Sequence, residues 1–125
     1  GRRMRVSNRS DLKESLIGTG TPFLGHCDDR LDWYVKGLAT IAGQSMGIRR
    51  MGSAALDLAY VAAGRIDGFW EAGLNAWDVA AGVLLVRESG GLVTDFKGSD
   101  AVLDGGDIMS ANPKLLRQIA GAIRA

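Results

Sequence analysis

Cysteine, histidine and proline are nearly missing from this chain, which holds one Cys, one His and two Pro among 125 residues. A single thiol, Cys27, excludes an internal disulfide and fits a reducing, cytoplasmic setting. Cys27 beside His26 makes neither a zinc cluster nor a catalytic pair, because partners in such sites are neighbours in space rather than in sequence. An excess of one charge is also missing: 15 basic residues face 14 acidic ones, for a net charge of +1. That balance gives no electrostatic footprint for nucleic acid, and Arg2, Arg3 and Arg5 read as solvated side chains beside a strand. No run approaches the roughly 20 apolar residues that a membrane span needs. The longest apolar stretch, Val79 to Val86, reads as a buried helix, and residues 1–20 show no secretory signal. Dinucleotide, Walker-type, zinc and G-x-S-x-G signatures are absent as well.

What remains is a globular composition, 46% hydrophobic and 23% charged, with 18 glycines that mostly punctuate periodic segments. Leu16-Ile17-Gly18 reads as a strand entering a Gly20–Gly25 loop. Asp28 or Asp29 caps a helix whose apolar side is Leu31, Tyr34, Val35, Leu38, Ile41 and Ala42, with Gly47 as its end. Ile48 to Met51 is a short strand. A second helix follows on Ala55, Leu58, Ala59 and Ala62, stopped by Gly64. Asp67 to Glu71 is a strand. Asn75 is the expected N-cap of a third helix, with Trp77, Ala80, Ala81, Leu84 and Leu85 as its buried stripe and Gly90-Gly91 as its end. Leu92 to Phe96 is a strand, Asp104 to Asp107 a turn, and Ile108 to Ala111 a strand. Asn112 caps a last helix that has Pro113 at its first position and Leu115, Leu116, Ile119 and Ile123 on its apolar side. Strands alternating with helices predict an α/β sandwich.

Candidate chemistry concentrates between Met51 and Gly91. Gly52, Ser53 and Ala54 lie at a strand-to-helix junction, where free backbone N–H groups suit an anion or hydroxyl groups. Ser53 reads equally as a plain N-cap. Glu71 ends a strand and is either an acceptor for substrate hydroxyls or a solvated carboxylate. Asp78, in a first helical turn, is either a hard-oxygen ligand suited to Mg²⁺ or a capping acid that favours the helix dipole. Glu88 takes no role. Asp95, Asp100, Asp104 and Asp107 read as turn or surface acids, and Trp33, Trp70 and Trp77 as core anchors.

Trp77-Asp78-Val79-Ala80-Ala81-Gly82, followed by Glu88-Ser89-Gly90-Gly91, resembles the second signature of the inositol monophosphatase family. Arg50-Met51-Gly52-Ser53-Ala54-Ala55, Asp67-Gly68-Phe69-Trp70-Glu71, Thr19-Gly20-Thr21-Pro22-Phe23 and Ala111-Asn112 resemble further family segments, in family order. The resemblance implies that residues 1–125 are the C-terminal half of a layered α-β-α-β-α sandwich of the sugar phosphatase type. It implies Mg²⁺-dependent hydrolysis of myo-inositol monophosphate, with Asp78 on the metal, Glu71 on inositol hydroxyls and Gly52, Ser53 and Ala54 against the substrate. It also implies a cytoplasmic homodimer that meets a small-molecule sugar phosphate, without membrane or nucleic acid. The family's first signature, D-P-[IL]-D-G-T-x-N-F, has no counterpart in the sequence. Nor has the family's glutamate-rich helix or loop before it, and the resemblance implies that those two parts supply most metal ligands and orient the attacking water. The chain alone is therefore expected to lack activity and to need the N-terminal half or a companion chain. The alternatives are a phosphatase of another sugar phosphate, such as fructose 1,6-bisphosphate, or a non-catalytic module that keeps the fold and binds a partner.

Overall fold

A computed structural model describes residues 4–20 and 31–124, without the side chains of Ala76, Asp78 and Asp104. The sequence readings at Arg2, Arg3, Thr21, Pro22, Phe23, His26, Cys27, Asp28 and Asp29 lie outside the described residues. After a 3-10 turn at Leu12–Glu14 come β1 (Leu16–Thr19), α1 (Leu31–Gln44), β2 (Gly47–Arg49), α2 (Ala54–Ala62), β3 (Gly68–Glu71), α3 (Ala76–Glu88), β4 (Leu92–Thr94), α4 (Val102–Gly105), β5 (Ile108–Ala111) and α5 (Pro113–Arg124). The sheet order is β2-β1-β3-β5-β4. β1 pairs parallel with both β2 and β3, while β5 runs antiparallel between β3 and β4.

Alternation along the central strands sends side chains to two helical layers. Ile17, Trp70 and Met109 meet Tyr34 and Ile41 of α1 and Leu115 and Ile119 of α5. Phe69, Val93 and Ile108 meet Leu58 and Val61 of α2 and Val79, Val83 and Val86 of α3. The α2–α3 contact is close because Gly82 faces Leu58: a Cβ at Gly82 would lie 2.7 Å from the Leu58 Cβ. The mixed α/β sandwich expected from the sequence is the observed architecture.

Local signals fix several elements. Asn112 accepts from Leu115 N–H at 2.9 Å, the expected cap, and its amide also donates to the carbonyls of Ser7 and Arg9. Gln118 adds a second tie to the start of the chain, accepting from Leu12 N–H and donating to the Ser10 carbonyl. Gly64, at φ 73°, follows α2 in the left-handed conformation that stops a helix.

Other expectations are corrected. Asn75 holds the N-cap position of α3, but its side chain makes no capping bond. Gly47 opens β2 rather than closing α1, and the first half of the expected turn at 104–107 belongs to the short helix α4, which ends at Gly105. Leu31, Val35 and Ala42 are exposed on α1, and Ala55 is exposed on α2. The largest correction concerns α3. Trp77 is 86% exposed and Leu84 58%, with Ala80 and Ala81 also exposed, whereas Val79, Val83 and Val86 are buried. The helix is apolar on both sides, so its periodicity cannot tell which side meets the sheet. Trp77 is therefore no core anchor within this chain.

Candidate active site

β1, β2 and β3 are parallel, so their carboxyl ends share one edge of the sheet, where open α/β folds take ligands. α2 follows β2 and α3 follows β3. Both helices therefore start at that edge, which brings the turn at Gly52–Ala54, the end of β3 at Glu71 and the backbone of Asp78 to one side of the molecule. Asp78 is the third residue of α3. Its carboxylate lies outside the described side chains, so its role stays with the resemblance.

The 52–54 turn is built as an N-terminus. Gly52 takes φ 83°, a conformation that side chains with a Cβ resist. Ser53 caps α2, its hydroxyl accepting from Leu56 N–H at 3.2 Å, and Ala54 is the first helical residue. Both sequence readings of Ser53 thus remain compatible, since capping engages one lone pair of the hydroxyl.

Glu71 is half-buried, and its seat is Gly20. A Cβ at Gly20 would lie 1.9 Å from Glu71 Oε1, so the missing side chain is the space the carboxyl occupies. Burial first, then the nearby Asp57 carboxyl, push the Glu71 pKa up to about 7, while Arg50 pulls it down. Asp57 lies on the first turn of α2 at 1% exposure, and neither of its oxygens has a hydrogen-bond partner. Burial alone pushes its carboxyl up to about 6. Its Oδ1 would be 3.2 Å from a Cβ at Gly18, so it too rests where β1 lacks a side chain.

Tyr34 of α1 brings a buried phenol to the same region. Its hydroxyl makes no hydrogen bond of good geometry, although Thr19 stands beside it. Burial raises its pKa, Thr19 opposes that rise, Glu71 adds to it and Arg50 lowers it. Thr19 spends its own proton on the Trp70 carbonyl at 2.9 Å.

Of the residues singled out in the sequence, the structure gathers Glu71 and the 52–54 turn at one sheet edge. Asp57 and Tyr34 were not anticipated. A lone Asp on a helix reads as solvated, and Tyr34 reads as one more apolar contact. The signal for Asp57 was the strand glycine Gly18, which leaves one face of β1 without a side chain there. It is legible only once α2 is known to cover that face.

The arrangement suits a polyhydroxylated anion: carboxyls for hydroxyl groups beside a helix start for negative charge. Its donors are oxygens, the chemistry a hard divalent cation prefers. No three His, Cys, Asp or Glu gather as a metal cluster among the described residues. No helix among them is long and apolar enough to cross a membrane.

The model of the inositol monophosphatase family matches residues 1–125. A Nus factor SuhB from Pseudomonas aeruginosa is 52% identical over 99% of this chain and 46% of its own length. An inositol-1-monophosphatase from Mesorhizobium japonicum is 47% identical over 98% of the chain and 46% of its own. The crystal structure of the extragenic suppressor protein suhB from Bartonella henselae superposes with a TM-score of 0.92 at 45% identity, covering 98% of this chain and 47% of that one. The chain thus spans a little under half the length of these relatives.

Proposed function

The chain belongs to the inositol monophosphatase family, and from that premise we propose that it forms the C-terminal half of a Mg²⁺-dependent phosphatase acting on myo-inositol monophosphate. The observation that carries this reading is the Glu71 carboxyl, seated on Gly20 at the carboxyl edge of the sheet where α2 and α3 begin. Inositol offers a ring of hydroxyls that each donate and accept. Glu71, poised near neutrality, matches them with one group of each kind. The start of α2 at Gly52–Ala54 supplies free N–H groups and the positive end of the helix dipole to the anionic side of the substrate.

The oxygen-only donor chemistry fits Mg²⁺, and Asp78 is the residue of this chain that would hold it, with the remaining ligands supplied by the other half of the enzyme. When bound, the cation would neutralise the phosphate, lower the pKa of a bound water and stabilise the leaving alkoxide. This chain's contribution is to bind and orient: Glu71 fixes the ring, the α2 start fixes the ester, and alignment lowers the barrier.

The exposed stripe of α3, Trp77, Ala80, Ala81 and Leu84, fits the surface that the other half covers. Contiguous apolar faces of this kind are interaction sites. The test joins this chain to an N-terminal half carrying the D-x-x-D-G-T segment. Joining is expected to shift Trp77 fluorescence to the blue and to produce Mg²⁺-dependent phosphate release. A blue shift without phosphate release would retain the docking face and remove the catalytic reading.

Glu71→Leu, apolar and of similar size, is expected in that enzyme to raise KM for inositol monophosphate by about tenfold, through loss of the hydrogen bonds to the ring hydroxyls. KM for an aryl phosphate, which has no ring hydroxyls, should change much less. Equal effects on both substrates would remove Glu71 from recognition. A second reading comes from the 52%-identical Nus factor: a non-catalytic module that binds a partner. It predicts that the joined protein releases no phosphate and that Glu71→Leu leaves partner binding intact.

A further inference from the structure

Gly18 in β1 and Gly20 just beyond its end stand two residues apart, and a carboxyl rests against each of them. Ile66 and Asp57 share the first seat, at 2.9 and 3.2 Å from a Cβ at Gly18, and Glu71 fills the second. Asp57 is sealed from solvent and unpartnered, yet it sits on the first turn of the helix whose start faces the substrate. A buried carboxyl without a hydrogen bond destabilises the fold, so its presence calls for another use. We propose that Asp57 is a positioning residue that acts through Glu71, keeping the Glu71 side chain able to donate a hydrogen bond to the substrate's hydroxyls as well as to accept one.

Two acids sharing one apolar site resist double ionisation: once Asp57 is charged, its field raises the pKa of the Glu71 carboxyl. Among the described side chains, the ionisable groups acting at Glu71 are Asp57 from α2, Arg50 after β2 and Tyr34 from α1. Arg50 and Asp57 oppose each other there, so removing the Asp57 charge leaves Arg50 to hold Glu71 ionised. An ionised Glu71 only accepts. The inference rests on the reading of Glu71 as the group that meets ring hydroxyls.

The experiment uses the enzyme extended to the full length of its relatives. The carboxyl ¹³C resonances of Asp57 and Glu71 are followed from about pH 4 to 9 in the wild type and in Asp57→Asn. KM is measured over the same range for inositol monophosphate and for an aryl phosphate. The Glu71 midpoint is expected near the wild-type value of about 7 and to fall by about one pH unit in the variant. At neutral pH the variant's KM for inositol monophosphate should rise about fivefold and return to the wild-type value as the pH is lowered by about one unit. A merely structural role would move both substrates together and would not be reversed by acid, and that result would overturn the inference. So would a Glu71 midpoint equal in both proteins, which would leave the proposed function standing. A lowered midpoint with both substrates responding alike would overturn the hydroxyl contact itself. Should Asp57→Asn not fold, Asp57→Ser, smaller and also uncharged, carries the same measurements.

Discussion

Asp57→Asn should make the protein more stable, and by an amount that grows with pH. A carboxyl that ionises at 3.8 when unfolded and at about 6 when folded is protonated in both states below the lower value, where it costs nothing. Between the two, the unfolded chain has released its proton and the folded one has not. The folded state then binds more protons, and stability falls as the pH rises. Above about 6 both forms are charged, and the penalty is complete, at about 3 kcal/mol. Asparagine has nearly the same shape as the neutral acid but one donor more, so the part independent of pH should shift by a constant of about 1 kcal/mol. The difference in unfolding free energy between variant and wild type, taken from urea curves, is expected to be small at pH 4 and to level off above pH 7. A difference independent of pH would mean that the Asp57 carboxyl finds a partner or a cation in solution. Glu71 acts in the same direction, raised from 4.5 to about 7, and that contribution is shared by both proteins only in part because the two acids are coupled.

The second large effect concerns Asp78. In the full-length enzyme, Asp78→Asn is expected to lower kcat by about a hundredfold or more and to raise the Mg²⁺ concentration needed for half-maximal rate. Asparagine keeps an oxygen and the side-chain shape but loses the charge that a divalent cation requires. The position is the third residue of α3, where loss of an acid also weakens the interaction with the helix dipole, by about 0.3–1 kcal/mol. The two roles separate cleanly in measurement. A capping role would lower Tm by a few degrees and leave the Mg²⁺ dependence alone, and near-normal turnover at low Mg²⁺ would end the assignment to the metal.

The local parts of the fold were legible in the residues themselves. β5 was delimited by the Gly-rich turn before it and by Asn112-Pro113 after it, and its bounds, Ile108–Ala111, match the expectation. Helix existence was legible for the same reason, since caps and periodicity act within a few residues of each other. The facing of α3 was not. Trp77, Ala80, Ala81 and Leu84 make as good an apolar stripe as Val79, Val83 and Val86, and the choice between them is made by Gly82, which lets Leu58 approach one side. Exposure of the other stripe is a property of the assembly rather than of the helix. At the candidate site, Glu71 and the 52–54 turn stood out because each sits at an element boundary. Asp57 did not, because a buried acid announces itself only through what surrounds it: the strand glycine Gly18, 39 positions earlier in the chain, brought beneath α2 by the parallel pairing of β1 and β2.

The place of β5 between β3 and β4 bears on how the chain assembles during synthesis. β4 leaves the ribosome before β5, its sheet neighbour among the described residues, and waits unpaired until β5 follows. The amides of Asn112 and Gln118, which fasten residues 7–12, emerge later still. A nascent chain stalled before β5 therefore lacks both the partner of β4 and the fastener of residues 7–12, and presents a bare strand edge to chaperones or to other nascent chains.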